Sequence, residues 1–167
     1  MLTQAEENYL RGVFFLQKAG HHPVRAQALA KYLHVRAGSV SEMVRRLAKA
    51  GMLSHERYGT LALTKDGEQQ ARMVAYKYMV IALFLTETLG RDANGIHQEV
   101  CELEHTFSAE TVMRLADLVK IPHYCPQCDS LLQCDTTWSQ ERVKKLMKGL
   151  VPSGAGRNSA PSPKAHQ

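Results

Sequence analysis

Hydrophobic residues recur at helical spacing along most of the chain. Up to Gly20 they repeat every three or four positions, and the Thr3–Glu6 segment (TQAE) that precedes them matches a capping box. The same spacing recurs in a second segment, residues 24–33, and in a third from about 39 to 50, which Gly51 closes. The pattern therefore predicts three short helices in succession.

The pattern changes to alternation after the third helix. In MLSHERYGTLAL, residues 52–63, alternating residues flank a turn at Tyr58–Thr60, as expected for a β-hairpin. A short turn, residues 34–38, joins the second and third helices, and the third opens with serines and carries arginines. Two such helices followed by a hairpin are typical of a winged helix-turn-helix.

A long helix is predicted next, from the capping residue Thr64 to about Leu89. Its end, MVIALFL at 79–85, is apolar on every side and therefore has to be covered all round. In so small a chain we expect the cover to be a second copy of the same protein. Two more helices follow, one capped by Asp92 and one by Ser108.

Charge is divided unevenly along this pattern. The chain has 167 residues and a net charge of +5, and its 44% hydrophobic and 22% charged residues are typical of a globular protein. Residues 25–57 hold seven Lys and Arg against two Glu, whereas residues 87–117 hold seven Asp and Glu against two Arg. A basic half followed by an acidic half indicates contact with a polyanion first and a cation site second.

Apolar runs are short throughout. The longest spans seven residues, 79–85, which is far too few to cross a bilayer, and no segment resembles a signal peptide. We therefore expect a cytoplasmic protein without a membrane partner. Its four cysteines are then expected to hold metal or to stay reduced rather than to form structural disulfides.

Four metal-ligand side chains share one stripe of the helix that follows Asp92. They stand at i, i+4, i+7 and i+8 and are His97, Cys101, Glu104 and His105. A neighbouring stripe is wholly apolar and comprises Ile96, Val100, Leu103 and Phe107. Imidazole, thiol and carboxylate groups on one face favour a divalent transition metal, such as iron, cobalt, nickel or zinc. A polar, solvated face is the alternative.

A second group of possible ligands lies in HYCPQCDSLLQC, residues 123–134. It contains a Cys-x2-Cys pair, a third cysteine and a histidine, which are Cys125, Cys128, Cys134 and His123. This composition fits a tetrahedral zinc site. An iron–sulfur cluster completed by Cys101 is a second interpretation, and reduced free thiols are a third.

These patterns divide the chain into four predicted regions. Residues 1–72 form a winged helix-turn-helix DNA-binding domain, and residues 73–122 form a helical dimerisation and metal-binding domain. Residues 123–150 form a cysteine-containing segment with a short helix. Residues 151–167 are rich in Pro, Gly and Ser without apolar periodicity, and are expected to be a disordered tail.

From residue 2 to about 119 the chain resembles the diphtheria-toxin-repressor family of iron- and manganese-dependent transcription regulators. EENYLRGVFFLQ is similar to the first helix of the family, SVSEMVRRLAKAGML to its recognition helix, and YGTLALTKDG to its wing. The most specific match is VCELEH, residues 100–105, which is similar to the metal helix. The C-terminal SH3-like domain of the longer members has no counterpart, so a short form is expected.

The resemblance implies a mainly α fold, with an N-terminal winged helix-turn-helix followed by an all-helical dimerisation and metal-binding domain. It also implies a homodimer that binds palindromic operators in double-stranded DNA when a divalent metal is loaded. Metal would pin the first helix against the metal helix and thereby set the spacing of the two recognition helices.

For the principal metal site, the resemblance implies ligands at Cys101, Glu104 and His105. The ligand from the first helix falls on Asn8, where the family has Met or Asp, and Glu7 beside it is a possible substitute. Fe2+ or Mn2+ is the metal expected at this site.

For the ancillary site of the family, the positions fall on Tyr78, Ala82 and His97. Only His97 can ligate a metal, so this site is expected to be absent or rebuilt. The cysteines of residues 123–134, binding Zn2+ or an iron–sulfur cluster, are the candidate replacement.

The function expected is a metal-activated DNA-binding transcriptional repressor of metal-homeostasis genes, without enzymatic activity. Basic side chains would contact phosphates, and the front of the recognition helix, at Arg36, Ser39, Ser41 and Glu42, would contact base edges. The full set of residues expected at DNA is Arg25, Gln27, Lys31, Arg36, Ser39, Ser41, Glu42, Arg45, Arg46, Arg57 and Tyr58.

Two other functions are open on the sequence. One is a winged-helix transcription factor whose zinc is purely structural, or whose cysteines sense redox state directly or through an iron–sulfur cluster. The other is a metal-dependent enzyme with Glu104 as general base, which would leave the basic half of the chain unexplained.

Overall fold

The computed structural model describes residues 2–56, 59–121 and 140–150, with backbone only at 55, 56 and 150. Its elements, in chain order, are α1 (Gln4–Lys18), β1 (Val24–Arg25), α2 (Ala26–Leu33), α3 (Ala37–Lys49), β2 (Leu53–Glu56), β3 (Thr60–Leu63), α4 (Lys65–Leu83), a π-helical turn (Phe84–Thr88), α5 (His97–Thr106), α6 (Ala109–Leu118) and α7 (Glu141–Leu150). The mainly α fold with a winged helix-turn-helix at its start is confirmed.

The first helix begins with the predicted capping box. The backbone N–H of Thr3 donates to Glu6 Oε2 at 2.7 Å, and the backbone N–H of Glu6 donates to Thr3 Oγ1 at 3.3 Å. Farther along α1, a Cβ at Gly12 would lie only 2.8 Å from Leu29 Cδ1 of α2. A larger residue at position 12 would require the buried side chain of Leu29 to shift.

Helices α2 and α3 form the predicted helix-turn-helix. The third helix begins at Ala37, two residues earlier than expected, after Arg36, whose side chain makes no capping bond. Strands β2 and β3 form the predicted wing, with Leu53 opposite Leu63. A third strand, β1, pairs with β3, and two residues are too few for sequence alternation to reveal it.

The wing is tied closely to α4. Thr64 Oγ1 accepts from the backbone N–H of Gly67 at 3.0 Å, which confirms Thr64 as the cap, and donates to the carbonyl of Gly51 at 2.6 Å. A Cβ at Gly67 would fall 1.8 Å from the carbonyl oxygen of Met52, so the start of α4 lies directly against the base of the wing. The start of α4 and the base of the wing are therefore tightly packed against each other.

The apolar end of α4 is covered by its own chain. Met79–Leu83 are at most 1% exposed within a single protomer, where α1, α5, α6 and α7 pack on α4. The expectation that a second copy must cover residues 79–85 was wrong, because four helices of the same chain supply that cover. The predicted continuation of this helix to Leu89 also differs, since a π-helical turn follows Leu83.

The connection to α5 was predicted only in part. Asp92 does not cap α5; its carboxylate accepts from the backbone N–H of Asn94 at 3.0 Å within the preceding turn. Helix α5 follows Ile96 without any side-chain cap. Ser108 caps α6 as predicted, since its hydroxyl accepts from the backbone N–H of Thr111 at 3.1 Å.

Several predicted features lie outside the described residues. These are the wing tip at Arg57 and Tyr58, the ligand candidates His123, Cys125, Cys128 and Cys134, and the tail at 151–167. The boundary predicted between 72 and 73 falls inside the continuous helix α4. None of the described helices combines the length and apolar character needed to cross a bilayer.

Candidate metal centre and nucleic-acid surface

Helix α5 turns its ligand stripe towards the interior of the protein. Ile96 and Val100 of the apolar stripe are fully buried, as the sequence predicts. Glu104, from the polar stripe, is equally buried at 1% exposure, and Cys101 and His105 are half-buried. The interpretation of this stripe as a solvated surface is therefore excluded.

A buried arginine lies at the centre of this region. Arg11 of α1 is 1% exposed, and its Nη1 donates to Glu104 Oε1. Its Nη2 donates to Cys101 Sγ at 3.2 Å, and the guanidinium carbon lies 4.3 Å from the centre of the Tyr78 ring. Arg11 therefore connects α1 to α4 and α5 through one cation.

Sequence reasoning missed Arg11. Its one signal was a position within the apolar face of α1, between Leu10 and Val13, both fully buried. A charged residue there has to be paired, because an unpaired buried charge is very costly. Its partner, Glu104, lies 93 positions away, so the pairing depends on the fold.

The Glu104 carboxylate is buried and paired with a buried arginine. Burial raises its pKa to about 7, although Arg11 beside it favours the charged form. Burial has the largest single effect on Arg11 and disfavours its charged form, but Glu104 together with Tyr32, Cys101 and Tyr78 raises the pKa of Arg11. Glu104 Oε2 has no hydrogen-bond partner among the described residues. One oxygen of this carboxylate is thus satisfied, and the other is available to a ligand.

Three further donor groups meet Glu104 where the start of α1 contacts α5. His105 Nε2 lies 3.3 Å from Glu104 Oε1 and 3.4 Å from Asn8 Oδ1, and His105 Nδ1 lies 3.1 Å from Glu7 Oε2. Burial lowers the pKa of His105, and the Glu7 carboxylate opposes that shift only partly. The structure thus brings together four of the predicted ligands, Glu7, Asn8, Glu104 and His105.

His97 lies apart from these four residues. Its Nδ1 is 2.7 Å from the hydroxyl of Tyr78, and its Nε2 is 3.7 Å from Cys101 Sγ. Burial lowers the pKa of His97, and burial likewise raises the pKa of the Cys101 thiol. Ala82, the other ancillary position, is fully buried and offers no donor.

The residues present fit a divalent cation only in part. Among the described residues, no group of three or more His, Cys, Asp and Glu side chains already converges as a metal site. Arg11 engages both Cys101 and one oxygen of Glu104 in this region. The unpartnered Glu104 Oε2, the imidazole of His105 and the oxygens of Asn8 and Glu7 nevertheless form an O/N donor set that suits Mn2+ or Fe2+.

The residues expected at DNA form an exposed surface on the N-terminal unit. Arg25, Gln27, Lys31, Arg36, Ser39, Ser41, Glu42, Arg45 and Arg46 are all exposed. Arg57 and Tyr58 lie outside the described residues. Arg46 is engaged within the protein, since its Nε lies 2.8 Å from Glu6 Oε1 of α1 while the side chain remains 58% exposed.

Two family models match most of the chain. The iron dependent repressor, N-terminal DNA binding domain, matches residues 1–61. The iron dependent repressor, metal binding and dimerisation domain, matches residues 64–132. The junction between the matches falls where Thr64 caps α4.

Curated relatives agree with these matches. An HTH-type transcriptional regulator, MntR of Lysinibacillus sphaericus, is 30% identical over 82% of this chain and 97% of the relative. An uncharacterised HTH-type regulator of Methanocaldococcus jannaschii is 32% identical over 68% of this chain and 91% of the relative. The diphtheria toxin repressor of Corynebacterium glutamicum is 30% identical, and the chain spans only 54% of its length.

Solved structures show the same fold. The manganese regulator SloR has a TM-score of 0.60 and 30% identity, over 77% of this chain and 59% of that protein. A manganese-dependent transcriptional repressor in complex with manganese has a TM-score of 0.63 and 27% identity, over 78% of this chain and 59% of that protein. The fold and the order of the two matched domains are thus shared with metal-responsive regulators.

Proposed function

The chain belongs to the iron-dependent repressor family, and on that premise we propose that it is a homodimeric, metal-activated repressor of metal-homeostasis genes. The observation that carries the proposal is the meeting of α1 and α5 at Glu7, Asn8, Glu104 and His105, beside the unpartnered oxygen of Glu104. This donor set joins the DNA-binding unit to the helices of the second matched domain.

Glu104 and His105 would hold the ion from α5, with Asn8 and Glu7 from α1. A bound Mn2+ or Fe2+ would supply the positive charge that draws the donors of both helices to one point. Glu7 and Asn8 lie in the first turns of α1. If both bind the ion, the position of the start of α1 relative to α5 becomes fixed.

The start of α1 is also linked to the recognition helix, α3. Glu6 precedes the two α1 ligands, and its carboxylate bonds to Arg46 Nε at 2.8 Å. The position of α1 and the position of α3 are therefore coupled through one ion pair. Activation then follows if the ion is bound more tightly in the arrangement that fits DNA.

DNA would be bound by the exposed basic surface of α2, α3 and the wing. Phosphate contacts by Arg25, Lys31 and Arg45 would supply most of the affinity, and the start of α3 would face base edges in the major groove. In a symmetric dimer, two such helices would favour palindromic sites with half-sites about 34 Å apart or a multiple of that distance.

The test is metal-dependent DNA binding by the full chain. Duplexes selected from a random pool with Mn2+ present would serve as the labelled probe, with and without chelator. The proposal expects affinity that falls on chelation in the wild type, and a Glu104→Gln variant that no longer responds to metal. Glu102→Gln is the matched control, since Glu102 is exposed on the same helix and its carboxylate accepts a hydrogen bond from Gln98.

Two results would contradict the proposal. One is affinity that is unchanged by chelator while the protein remains folded. The other is selection that yields no palindromic sequence, which would remove the operator part of the proposal but not the metal part. Unfolding on chelation would instead favour a purely structural metal.

A further inference from the structure

Arg11 is a built-in cation placed among the candidate ligands. Its guanidinium contacts the Glu104 carboxylate, donates to Cys101 Sγ at 3.2 Å and lies on the face of Tyr78. The side chain is 1% exposed, and these partners belong to α4 and α5. Its position is therefore set by packing as well as by charge.

The thiol of Cys101 is contacted by nitrogen atoms of Arg11 and His97. Its Sγ is contacted by Arg11 Nη2 at 3.2 Å and lies 3.7 Å from His97 Nε2. Among the described residues, the polar contacts of His105 are with Glu104, Glu7 and Asn8, and none involves the thiol. The described contacts of the sulfur are thus with Arg11 and His97, whereas those of His105 are with the oxygen donors.

We propose that Arg11 determines the metal specificity of this site, by keeping Cys101 out of the coordination shell and leaving the ion to oxygen and imidazole donors. This inference rests on the proposed metal site. Because thiolates select thiophilic ions such as Zn2+, whereas carboxylate and carbonyl oxygens suit Mn2+, the residue that engages the thiol biases the site towards Mn2+ and Fe2+.

Charge supports the same conclusion. An ion bound to Cys101 Sγ would have to approach a guanidinium whose Nη2 already lies 3.2 Å from the sulfur. On the Asn8 side, the carboxylates of Glu7 and Glu104 offset the charge of an incoming cation. The ion is therefore accommodated next to Asn8, and the positive charge next to Cys101 remains that of Arg11.

The first test uses Co2+ as a spectroscopic probe of the full-length chain. Ligation by a thiolate gives Co2+ an intense near-ultraviolet charge-transfer band, which oxygen and imidazole ligands do not give. We expect wild type and Cys101→Ser to show identical bands and the same Mn2+ affinity by calorimetry. Any band from the other three cysteines appears in both proteins and cancels in the difference.

The second test replaces the cation. In Arg11→Met, we expect a new band that is absent from the Arg11→Met/Cys101→Ser double variant, and a Zn2+-to-Mn2+ affinity ratio raised by about tenfold. Arg11→Lys is the control that keeps the charge. If Arg11→Met does not fold, the comparison of wild type with Cys101→Ser still decides the inference.

Three outcomes separate the possibilities. A wild-type band or an Mn2+ affinity that is lost in Cys101→Ser would overturn the inference and leave the proposed function standing. A folded Arg11→Met variant without a Cys101-dependent band would also overturn it. Mn2+ binding that is unaffected by Glu104→Gln would instead show that the proposed metal site itself is wrong.

Discussion

Arg46 of the recognition helix is bonded to Glu6 at the start of α1, with Arg46 Nε 2.8 Å from Glu6 Oε1. Glu6 is also the capping-box residue, since its other carboxylate oxygen accepts from the backbone N–H of Thr3. Thr3 lowers the pKa of Glu6, and Arg46 lowers it further, so the carboxylate stays charged. One buried carboxylate therefore ties α3, the proposed recognition helix, to the segment of α1 that holds the proposed ligands Glu7 and Asn8.

The first prediction concerns this link. Glu6→Gln keeps the shape of the side chain but removes its charge, so metal affinity should be retained while the gain in DNA affinity on adding Mn2+ becomes smaller. The pair is partly exposed, which limits the expected loss to about 1 kcal/mol, or roughly fivefold in affinity. Fluorescence anisotropy with and without Mn2+ measures it. An undiminished metal response would show that the pair does not carry the coupling.

The second prediction separates two neighbouring arginines. Arg45 is exposed and has no ion-pair partner among the described residues, so Arg45→Ala should flatten the dependence of DNA affinity on salt by about one unit of slope. Arg46→Ala should change the slope less, because Glu6 already neutralises that guanidinium. Equal slopes for the two variants would mean that Arg46 leaves Glu6 and contacts phosphate.

Helix positions were the part of the fold that the sequence predicted well. The capping box at Thr3 and the caps at Thr64 and Ser108 each depend on a few adjacent residues, and all three are present. The π-helical turn and strand β1 escaped prediction for a different reason. Each is a short adjustment to tertiary packing, without a period of its own.

Only part of the candidate site could be predicted from the sequence. The α5 stripe could be read from helical spacing, and the resemblance placed Asn8 and Glu7 against it. The role of Arg11 in the site could not be predicted this way, because it depends on a contact with Glu104, which lies 93 positions away in the sequence. The same holds for Met79–Leu83, where an apolar surface indicates that cover is needed but not which chain provides it.

The third prediction concerns stability without metal. Glu104→Gln leaves Arg11 as an uncompensated buried charge, so the metal-free variant should lose about 3–5 kcal/mol of unfolding free energy. Arg11→Met/Glu104→Gln, which removes both charges, should recover a large part of that loss. Denaturant unfolding with chelator present measures both, with Glu102→Gln as the control. Equal stability of the single and double variants would mean that the pair contributes little.

The fourth prediction places the dimer contact on α6. Leu118 is 66% exposed, the highest exposure among the large apolar side chains described, and it lies within the match to the dimerisation domain. Leu118→Lys should give a folded monomer in light scattering, with unchanged circular dichroism. Leu83→Lys is the contrasting variant, since Leu83 is buried within one chain and its replacement should unfold the protein. A Leu118→Lys variant that stays dimeric would exclude this face.

The last prediction concerns the cysteines outside the described residues. Cys125, Cys128 and Cys134 follow the sensing helices closely, and His123 adds a fourth donor of the kind found in tetrahedral zinc sites. Tyr78 and Ala82 cannot supply the ancillary site, and Arg11 already engages Cys101, so a second ion would have to be held by this segment alone. Thiolates bind Zn2+ far more strongly than Mn2+, and the two sites would therefore differ in metal as well as in place.

Counting bound metal in three proteins tests this prediction. Wild type purified without oxygen should hold about two ions per chain, and Cys125→Ser/Cys128→Ser should hold about one. Glu104→Gln should also hold about one, but should lose the Mn2+ or Fe2+ and keep the zinc. If the double serine variant binds as many ions as wild type, the cysteine segment is not a metal site. An iron-to-sulfide ratio near one in wild type would replace zinc with an iron–sulfur cluster at the same residues.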